Sequence, residues 1–299
     1  MPILVIGSLS IDHTLYVPAL PSRGETTIAS SALTSFGGKG ANQALAAKSA
    51  GADVHFLCCV GNDPAGKDYG EHLASHGFDC SSIMTDQQLP TGSAVLSVEE
   101  SGENSIIINP GANHALRPQH LDENMHLFEQ SNMLLLQLEI PFDTIRHACR
   151  LARAHQLTTL INPSPWSPDF NTAEFPCDIL VMNEHEVSSF TGDQDLSLSH
   201  DLLHRNNLQK IIVTQGSGPT IGLARSRDIL ESTPPTVSPV DTVGAGDAFT
   251  GALAVALSED QSLSRALRFA NAAGALSITR PGAQGAIPDR KEIESFLST

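Results

Sequence analysis

Met133–Ile161 reads MLLLQLEIPFDTIRHACRLARAHQLTTLI. It opens with an apolar run of strand length, MLLLQL, and closes with another, TTLI from Thr158. Between them, FDTIRHACRLARAHQ carries its apolar residues at helical spacing. Strand, helix and strand of these lengths make a βαβ unit, whose two strands lie parallel in one sheet. The same alternation runs along the chain: ILVI from Ile3, HFLCCV from His55, DILVM from Asp178 and KIIVT from Lys210 are further strand-length runs, and GANQALAAKSAG from Gly40 has the helical period. Strands that are apolar throughout are buried on both faces, so the pattern predicts a mainly parallel α/β sheet covered by helices on each side. Ligands of such sheets sit beyond the carboxyl ends of the strands, so the residues just after each run are the ones placed to bind them.

Two segments break the pattern. Thr14–Phe36 and Thr91–Ile108 alternate polar and apolar residues between Pro, Gly and Ser, the marks of antiparallel strands or hairpins. Inserted into a parallel core, they predict a small β-sheet lid over the strand ends. The 299 residues suffice for one large or two small domains, with a formal net charge of -16. That charge excludes nucleic acid and anionic membrane surfaces as partners, since both need basic patches. No apolar run reaches the roughly 18 residues of a membrane span, and MPILVIGSLSID lacks the features of a signal peptide, so the expected location is the cytoplasm. Five cysteines without C-x-x-C spacing read as reduced thiols, and His72 and His76, four apart but without a third ligand nearby, as a solvated helix face.

Three glycine-rich stretches compete as phosphate sites. GNDPAGKD, Gly61–Asp68, has P-loop spacing, but Asp68 stands where the Mg²⁺-binding hydroxyl belongs, Pro64 removes an N–H and Asp63 adds a like charge, so it reads as a structural turn. SFGGKGANQALAAKSAG, Ser35–Gly51, opens a helix with Gly38, Lys39 and Asn42 at its mouth. VDTVGAGDAFTGALAVAL, Val240–Leu257, opens another with Asp247 behind Gly244, Ala245 and Gly246, while Phe249 breaks the dinucleotide fingerprint. A helix N-terminus attracts phosphate and a carboxylate repels it. Both fit if Asp247 faces a substrate hydroxyl and the N–H groups face the charge on a moving phosphoryl group.

These two stretches resemble the signature regions of the ribokinase-like carbohydrate kinases, the PfkB family. GSLSID near the start, LLLQLEIP, INPSPW, MNEHE, VTQGSG and TRPGAQGAIP come in the family's order over nearly the whole chain, and GGKGANQ is most similar to its ribokinase branch. The resemblance implies a single three-layer ribokinase-like domain over residues 1–299, with lid strands at about 14–36 and 91–108. It implies an ATP-dependent kinase acting on the primary hydroxyl of a pentose, ribose first, with 2-deoxyribose, fructose or a nucleoside as alternative acceptors. A silent sugar-binding regulator is the alternative of another class, disfavoured by the intact Asp247. Position by position, Asp247 resembles the catalytic base and Gly244, Ala245 and Gly246 the anion hole. Ser10, Asp12, Gly38, Lys39, Asn42 and Glu139 match sugar positions, and Asn183, Thr214, Gly216 and Asn271 nucleotide positions. Glu186 matches a residue acting around Mg²⁺ through water, and Asp241, Val243, Ser277, Arg280 and Gly282 match ligands of a monovalent cation, K⁺. The family's homodimer, joined through the lids, is expected. Three positions depart from its pattern: Ser10 replaces a sugar-contacting asparagine, Pro219 a glycine, and Ala286 a side-chain oxygen donor of the cation loop.

Overall fold

The computed structural model describes residues 2–99, 101, 103–192, 198–225 and 227–298. Its strands in chain order are β1 (Ile3–Ile6), β2 (Ser10–Val17), β3 (Ser31–Gly37), β4 (Val54–Gly61), β5 (Ile83–Asp86), β6 (Ser93–Glu99), β7 (Asn104–Asn109), β8 (Met133–Leu136), β9 (Thr158–Ile161), β10 (Ile179–Asn183), β11 (Lys210–Thr214), β12 (Thr220–Ala224) and β13 (Arg227–Ser232). The helices are α1 (Lys39–Ser49), α2 (Pro64–Ser75), α3 (Pro118–Glu123), α4 (Met125–Glu129), α5 (Phe142–Ala154), α6 (Glu184–Thr191), α7 (His200–Arg205), α8 (Ala245–Ser258), α9 (Leu263–Ser277) and α10 (Arg290–Leu297).

The opening unit is β8, α5 and β9, and β8 pairs with β9 in parallel from Met133↔Thr158 to Leu136↔Ile161. The main sheet has the order β13-β12-β11-β10-β9-β8-β1-β4-β5. From β5 to β11 every pairing is parallel, and β12 and β13 add an antiparallel edge. The continuous apolar runs are explained by two cores, one on each face. Ile3, Val5, Met133 and Leu135 enter the core with α1, α8 and α9, whereas Leu4, Ile6, Leu134 and Leu136 enter the core with α5. This is the three-layer α/β fold that the sequence predicts.

A second sheet of four strands, β3-β2-β6-β7, contains the two segments that break the pattern. Its β2 runs antiparallel to β3 and parallel to β6, and β6 antiparallel to β7. The observed bounds differ from 14–36 and 91–108. Strand β2 begins at Ser10, so the small sheet includes Ser10 and Asp12, and β7 extends to Asn109. Neither face of β2 is fully covered, which leaves Ser10–His13 without the two-residue hydrophobic period that marks a strand start. Residues 100 and 102 of the second segment lie outside the described residues.

Gly61–Asp68 is the end of β4 and the start of α2. Asp63 caps that helix through Gly66 N at 2.8 Å and also accepts bonds from Thr91 N and Oγ1 at 2.8 and 2.6 Å. With its carboxylate filling the turn, the segment holds itself together rather than an anion. All five cysteines are free, and His72 bonds to Gln284 Oε1 at 2.8 Å. Among the described residues no helix is long and apolar enough to cross a membrane.

Candidate active site

Helices α1 and α8 pack side by side with their N-termini at the carboxyl ends of the strands. Gly38 caps α1 at φ 91°, and a Cβ there would stand 2.4 Å from Leu9 Cα, so only glycine lets the helix start this close to the chain leaving β1. Gly244 caps α8 in the left-handed region at φ 78°. The first N–H groups of an α-helix lack intrahelical acceptors, and here they belong to the glycine-rich turn. Gly244, Ala245, Gly246 and Asp247 line a cavity of about 150 Å³ together with Lys39, Asn183, Glu186, Thr214 and Thr242. The two glycine-rich helix starts, about 200 residues apart in sequence, thus share one site.

Asp247 is 7% exposed, and each of its oxygens accepts an amide bond: Oδ2 from Asn42 Nδ2 and Oδ1 from Gln43 Nε2, both at 2.9 Å. Burial works against the Lys39 ammonium, but the charges of Asp247, Glu139 and Glu186 outweigh it and hold its pKa above the ordinary lysine value. Lys39 therefore stays charged at neutral pH and gives the cavity its cation.

At the N-terminus of α1, Glu139 Oε2 accepts bonds from Ser8 Oγ at 2.5 Å and from the backbone N–H of Lys39 at 3.1 Å, an acid set against the helix start. Ser10 Oγ donates to Asp12 Oδ1 at 2.5 Å. Burial first, then the neighbouring charges of Glu139 and Asp247, push the Asp12 carboxyl up to about 6 against the pull of the Ser10 bond. Its folded-state pKa lies above the unfolded value of 3.8, so the folded protein holds the proton more tightly. The stabilisation is complete below about pH 4 and is lost as pH rises through about 6. At pH 7 the buried charge costs the fold about 3 kcal/mol. Asp12→Asn is accordingly expected to raise Tm at pH 7, with the gain shrinking toward pH 5. Melting curves of both proteins across that range check it, and a variant less stable than wild type at pH 7 would refute the account.

Asn183 and Glu186 form a capping box at the start of α6. Asn183 Oδ1 accepts from Glu186 N at 2.9 Å and Glu186 Oε2 from Asn183 N at 2.8 Å, while both side chains face the cavity. Thr214 lines the same cavity; Gly216 and Asn271 do not. Gly216 stands just past β11 with φ 57°. The Asn271 side chain is engaged within the fold, accepting from Thr220 Oγ1 at 2.7 Å and donating to Ser232 O at 2.9 Å.

The loop positions matched to a cation come together at the entrance to α8. Asp241 accepts from Val243 N at 3.0 Å and from Gly282 N at 2.8 Å, and Val240 N donates to Ile278 O at 2.7 Å. Ser277 Oγ bonds back to Gly274 O, and the Arg280 guanidinium pairs with Glu292. Beside these bonds the loop offers backbone carbonyls and the remaining lone pairs of the Asp241 carboxylate.

Residues that sequence reading passed over complete the site: Ser8 on Glu139, Gln43 and Asn162 beside Asp247, Gln137 behind Gln43, and Gln284 and Tyr69 behind Asn42. Gln43 lies in GGKGANQ, Ser8 in GSLSID, Gln137 in LLLQLEIP, Asn162 in INPSPW and Gln284 in TRPGAQGAIP, so all but Tyr69 stand within the motifs, but nothing local shows which group each one bonds.

The pfkB family carbohydrate kinase model matches residues 2–290. The ribokinase of Bacillus subtilis (strain 168) is 36% identical over 296 residues, covering 99% of this chain and 99% of its own. The deoxyribokinase of Salmonella typhi is 31% identical over 306 residues, covering 100% and 99%. Among solved structures, Arabidopsis thaliana ribokinase complexed with ribose and ATP superposes with a TM-score of 0.91 at 31% identity, covering 100% of this chain and 99% of that one. The chain belongs to the pfkB family of carbohydrate kinases.

Proposed function

We propose that this protein is an ATP-dependent kinase that phosphorylates the primary hydroxyl of a pentose, with D-ribose converted to D-ribose 5-phosphate. The observation that carries the reading is a buried carboxylate, Asp247, fixed by two amides in the first turn of α8, in one cavity with Lys39 and the helix N-terminus. Asp247 takes the proton of the sugar hydroxyl as that oxygen attacks the γ-phosphorus of ATP. The bond from the γ-phosphorus to the bridging oxygen breaks and ADP leaves. The N–H groups of Gly244, Ala245 and Gly246 meet the charge on the moving phosphoryl group, and Lys39 adds positive charge beside it. Asp12, Glu139, Gly38, Lys39, Asn42 and Ser10 hold the sugar; Thr214 and Asn183 serve the nucleotide, with Gly216 and Asn271 further along its path. ADP release assayed across pentoses, hexoses and nucleosides tests the reading, and no release with any pentose sinks it.

Glu186 suits Mg²⁺ through water, since its Oε2 is used by the capping box and the ion keeps several waters beside ATP phosphates. The Asp241, Val243, Ser277, Arg280 and Gly282 loop suits K⁺ through backbone oxygens. Ala286, wholly buried next to it, supplies no side-chain oxygen, and water can stand in at lower affinity. Ala286→Ser is expected to lower the K⁺ concentration for half-maximal activity about tenfold, the worth of one hydrogen-bond-sized contact. KCl titration of both proteins at constant ionic strength measures it, and identical curves would show that position 286 is without influence.

The similarity to a deoxyribokinase favours 2-deoxyribose as the second acceptor. Ser10 bears on the choice. Its hydroxyl proton is committed to Asp12, so toward a sugar it can only accept, whereas an asparagine both donates and accepts. Ribose and 2-deoxyribose are therefore expected to differ in kcat/KM by no more than about tenfold, with Ser10→Asn raising the preference for ribose by about another tenfold. A strong preference in the wild type that Ser10→Asn leaves unaltered would dissociate position 10 from selectivity.

The small sheet acts as a lid over the sugar and as the contact between two copies in a homodimer. Tyr16, Leu33, Val95, Ile106, Ile107 and Ile108 are large apolar side chains exposed on it, an unusual concentration for a free surface. ATP dependence and five free cysteines suit the cytoplasm.

A further inference from the structure

The amides around Asp247 form two directed chains, and the direction of each is set by an acceptor that cannot be reversed. On one side, Asn162 Nδ2 donates to the backbone carbonyl of Val181 at 2.9 Å. Its Oδ1 must then accept, and does so from Gln43 Nε2 at 3.0 Å, whose other proton goes to Asp247 Oδ1. Gln43 Oε1 in turn accepts from Gln137 Nε2 at 2.7 Å. On the other side, Tyr69 OH donates to Gly37 O at 2.6 Å, so its oxygen accepts from Gln284 Nε2 at 2.8 Å. Gln284 also donates to Asn42 Oδ1 at 2.9 Å, which leaves Asn42 Nδ2 for Asp247. A flip of either inner amide would turn a carbonyl oxygen onto the carboxylate.

The first chain ends in a defect. With its NH₂ given to Gln43, Gln137 turns Oε1 toward Gly7, where a Cβ would stand 2.2 Å from it, and that oxygen has no hydrogen-bond partner. Gln137 is 1% exposed, and among the described residues only Ser131 Oγ shares this state. An unpaired buried acceptor destabilises a fold, and an apolar residue of the same size would avoid it. The glutamine makes sense through what its other end does.

We propose that Gln137 is a positioning residue for phosphoryl transfer: by donating to Gln43 Oε1 it locks the Gln43 amide with its NH₂ on Asp247, which keeps that carboxylate aimed. This rests on the reading of Asp247 as the base. Loosening Gln43 lets the carboxylate turn from the line of proton transfer and lowers the rate.

The test uses the full chain. Gln137→Met removes both the donor and the orphan acceptor. It is expected to keep or raise Tm, lower kcat about tenfold, and leave KM for sugar and ATP within about twofold. Gln137→Glu, close in shape, donates to Gln43 only while its buried carboxyl stays protonated; once ionised it offers only acceptors, forces Gln43 to turn its NH₂ away from Asp247, and is expected to lower kcat about a hundredfold as pH rises. If Gln137→Met fails to fold, this second variant carries the test alone. A lower Tm with kcat at the wild-type value overturns the proposal and makes Gln137 structural. Asp247→Asn, measured alongside, separates the two possible failures. Near-normal turnover in Asp247→Asn rejects the base itself, whereas an inactive Asp247→Asn beside unaffected Gln137 variants rejects only the positioning role.

Discussion

Asp247→Asn is expected to fold, to bind ATP, and to turn over about 10²–10⁴ times more slowly than the wild type, the usual contribution of a general base. The side chain keeps its size, so the packing of α8 on α1 is undisturbed. Its hydrogen bonding is not. Asp247 accepts from Asn42 on one oxygen and from Gln43 on the other, so an amide at 247 must set its own NH₂ against one of those two donors. A modest fall in Tm accompanies the loss of rate. Residual activity remains because the anion hole and Lys39 are untouched, and alignment with charge stabilisation supplies much of phosphoryl-transfer catalysis. Steady-state kcat at saturating sugar and ATP, with ATP affinity from calorimetry, checks both halves. Turnover within a few-fold of wild type would falsify the role given to Asp247.

Gly251→Ala is expected to damage stability and catalysis together, although residue 251 lines no part of the cavity. Gly251 lies one turn beyond Asp247 on α8, where that helix crosses α1. A Cβ there would stand 2.6 Å from Ala46 Cβ, 2.7 Å from the carbonyl oxygen of Gln43 and 2.8 Å from Ala47 N. Two of those three atoms are backbone, so no side chain can swing aside and the helices must part. Alanine gains about 0.5–1 kcal/mol of helix propensity over glycine. Overpacking of a rigid contact costs about 1–3 kcal/mol or more, so the clash wins. Parting the helices also draws Asp247 away from Asn42 and Gln43, and a misplacement of about 1 Å can cost about a hundredfold in rate. Thermal unfolding and kcat of the variant test this. A Gly251→Ala protein with wild-type Tm and kcat would show that the α1–α8 crossing has slack, against the geometry.

The main sheet is readable in the chain because strands covered on both faces must be apolar along their whole length. β1, β4, β8, β9, β10 and β11 all announce themselves this way, and Gly38 and Gly244 mark the two helix starts of the site. β5, with sequence IMTD, and the hairpin of β12 and β13 do not, because edge strands meet water and lose that mark. The small sheet was legible as a departure from the pattern. Its start at Ser10 was not, since β2 has a fully buried residue only at its two ends.

The site divides along the same physical line. Asp247 behind its glycines and Lys39 beside Gly38 are local arrangements that spacing reveals, whereas Asn183 and Glu186, equally local, were reached through the family resemblance. The partners that orient Asp247 are 204 and 205 residues away in sequence, and Gln284 reaches Asn42 across 242. A buried glutamine has no periodicity and no preferred neighbour in the chain. Whether it pairs with a carboxylate, a carbonyl or nothing, as Gln137 Oε1 does, is settled only when helices from both ends of the sequence are packed onto one sheet. The amino-acid sequence by itself thus determined the parallel sheet, its two covering layers and the chemistry of the helix mouths, through burial and local backbone geometry. The tertiary structure alone decided which amides surround the carboxylate and which way each faces, because hydrogen-bond direction propagates through space from fixed backbone carbonyls.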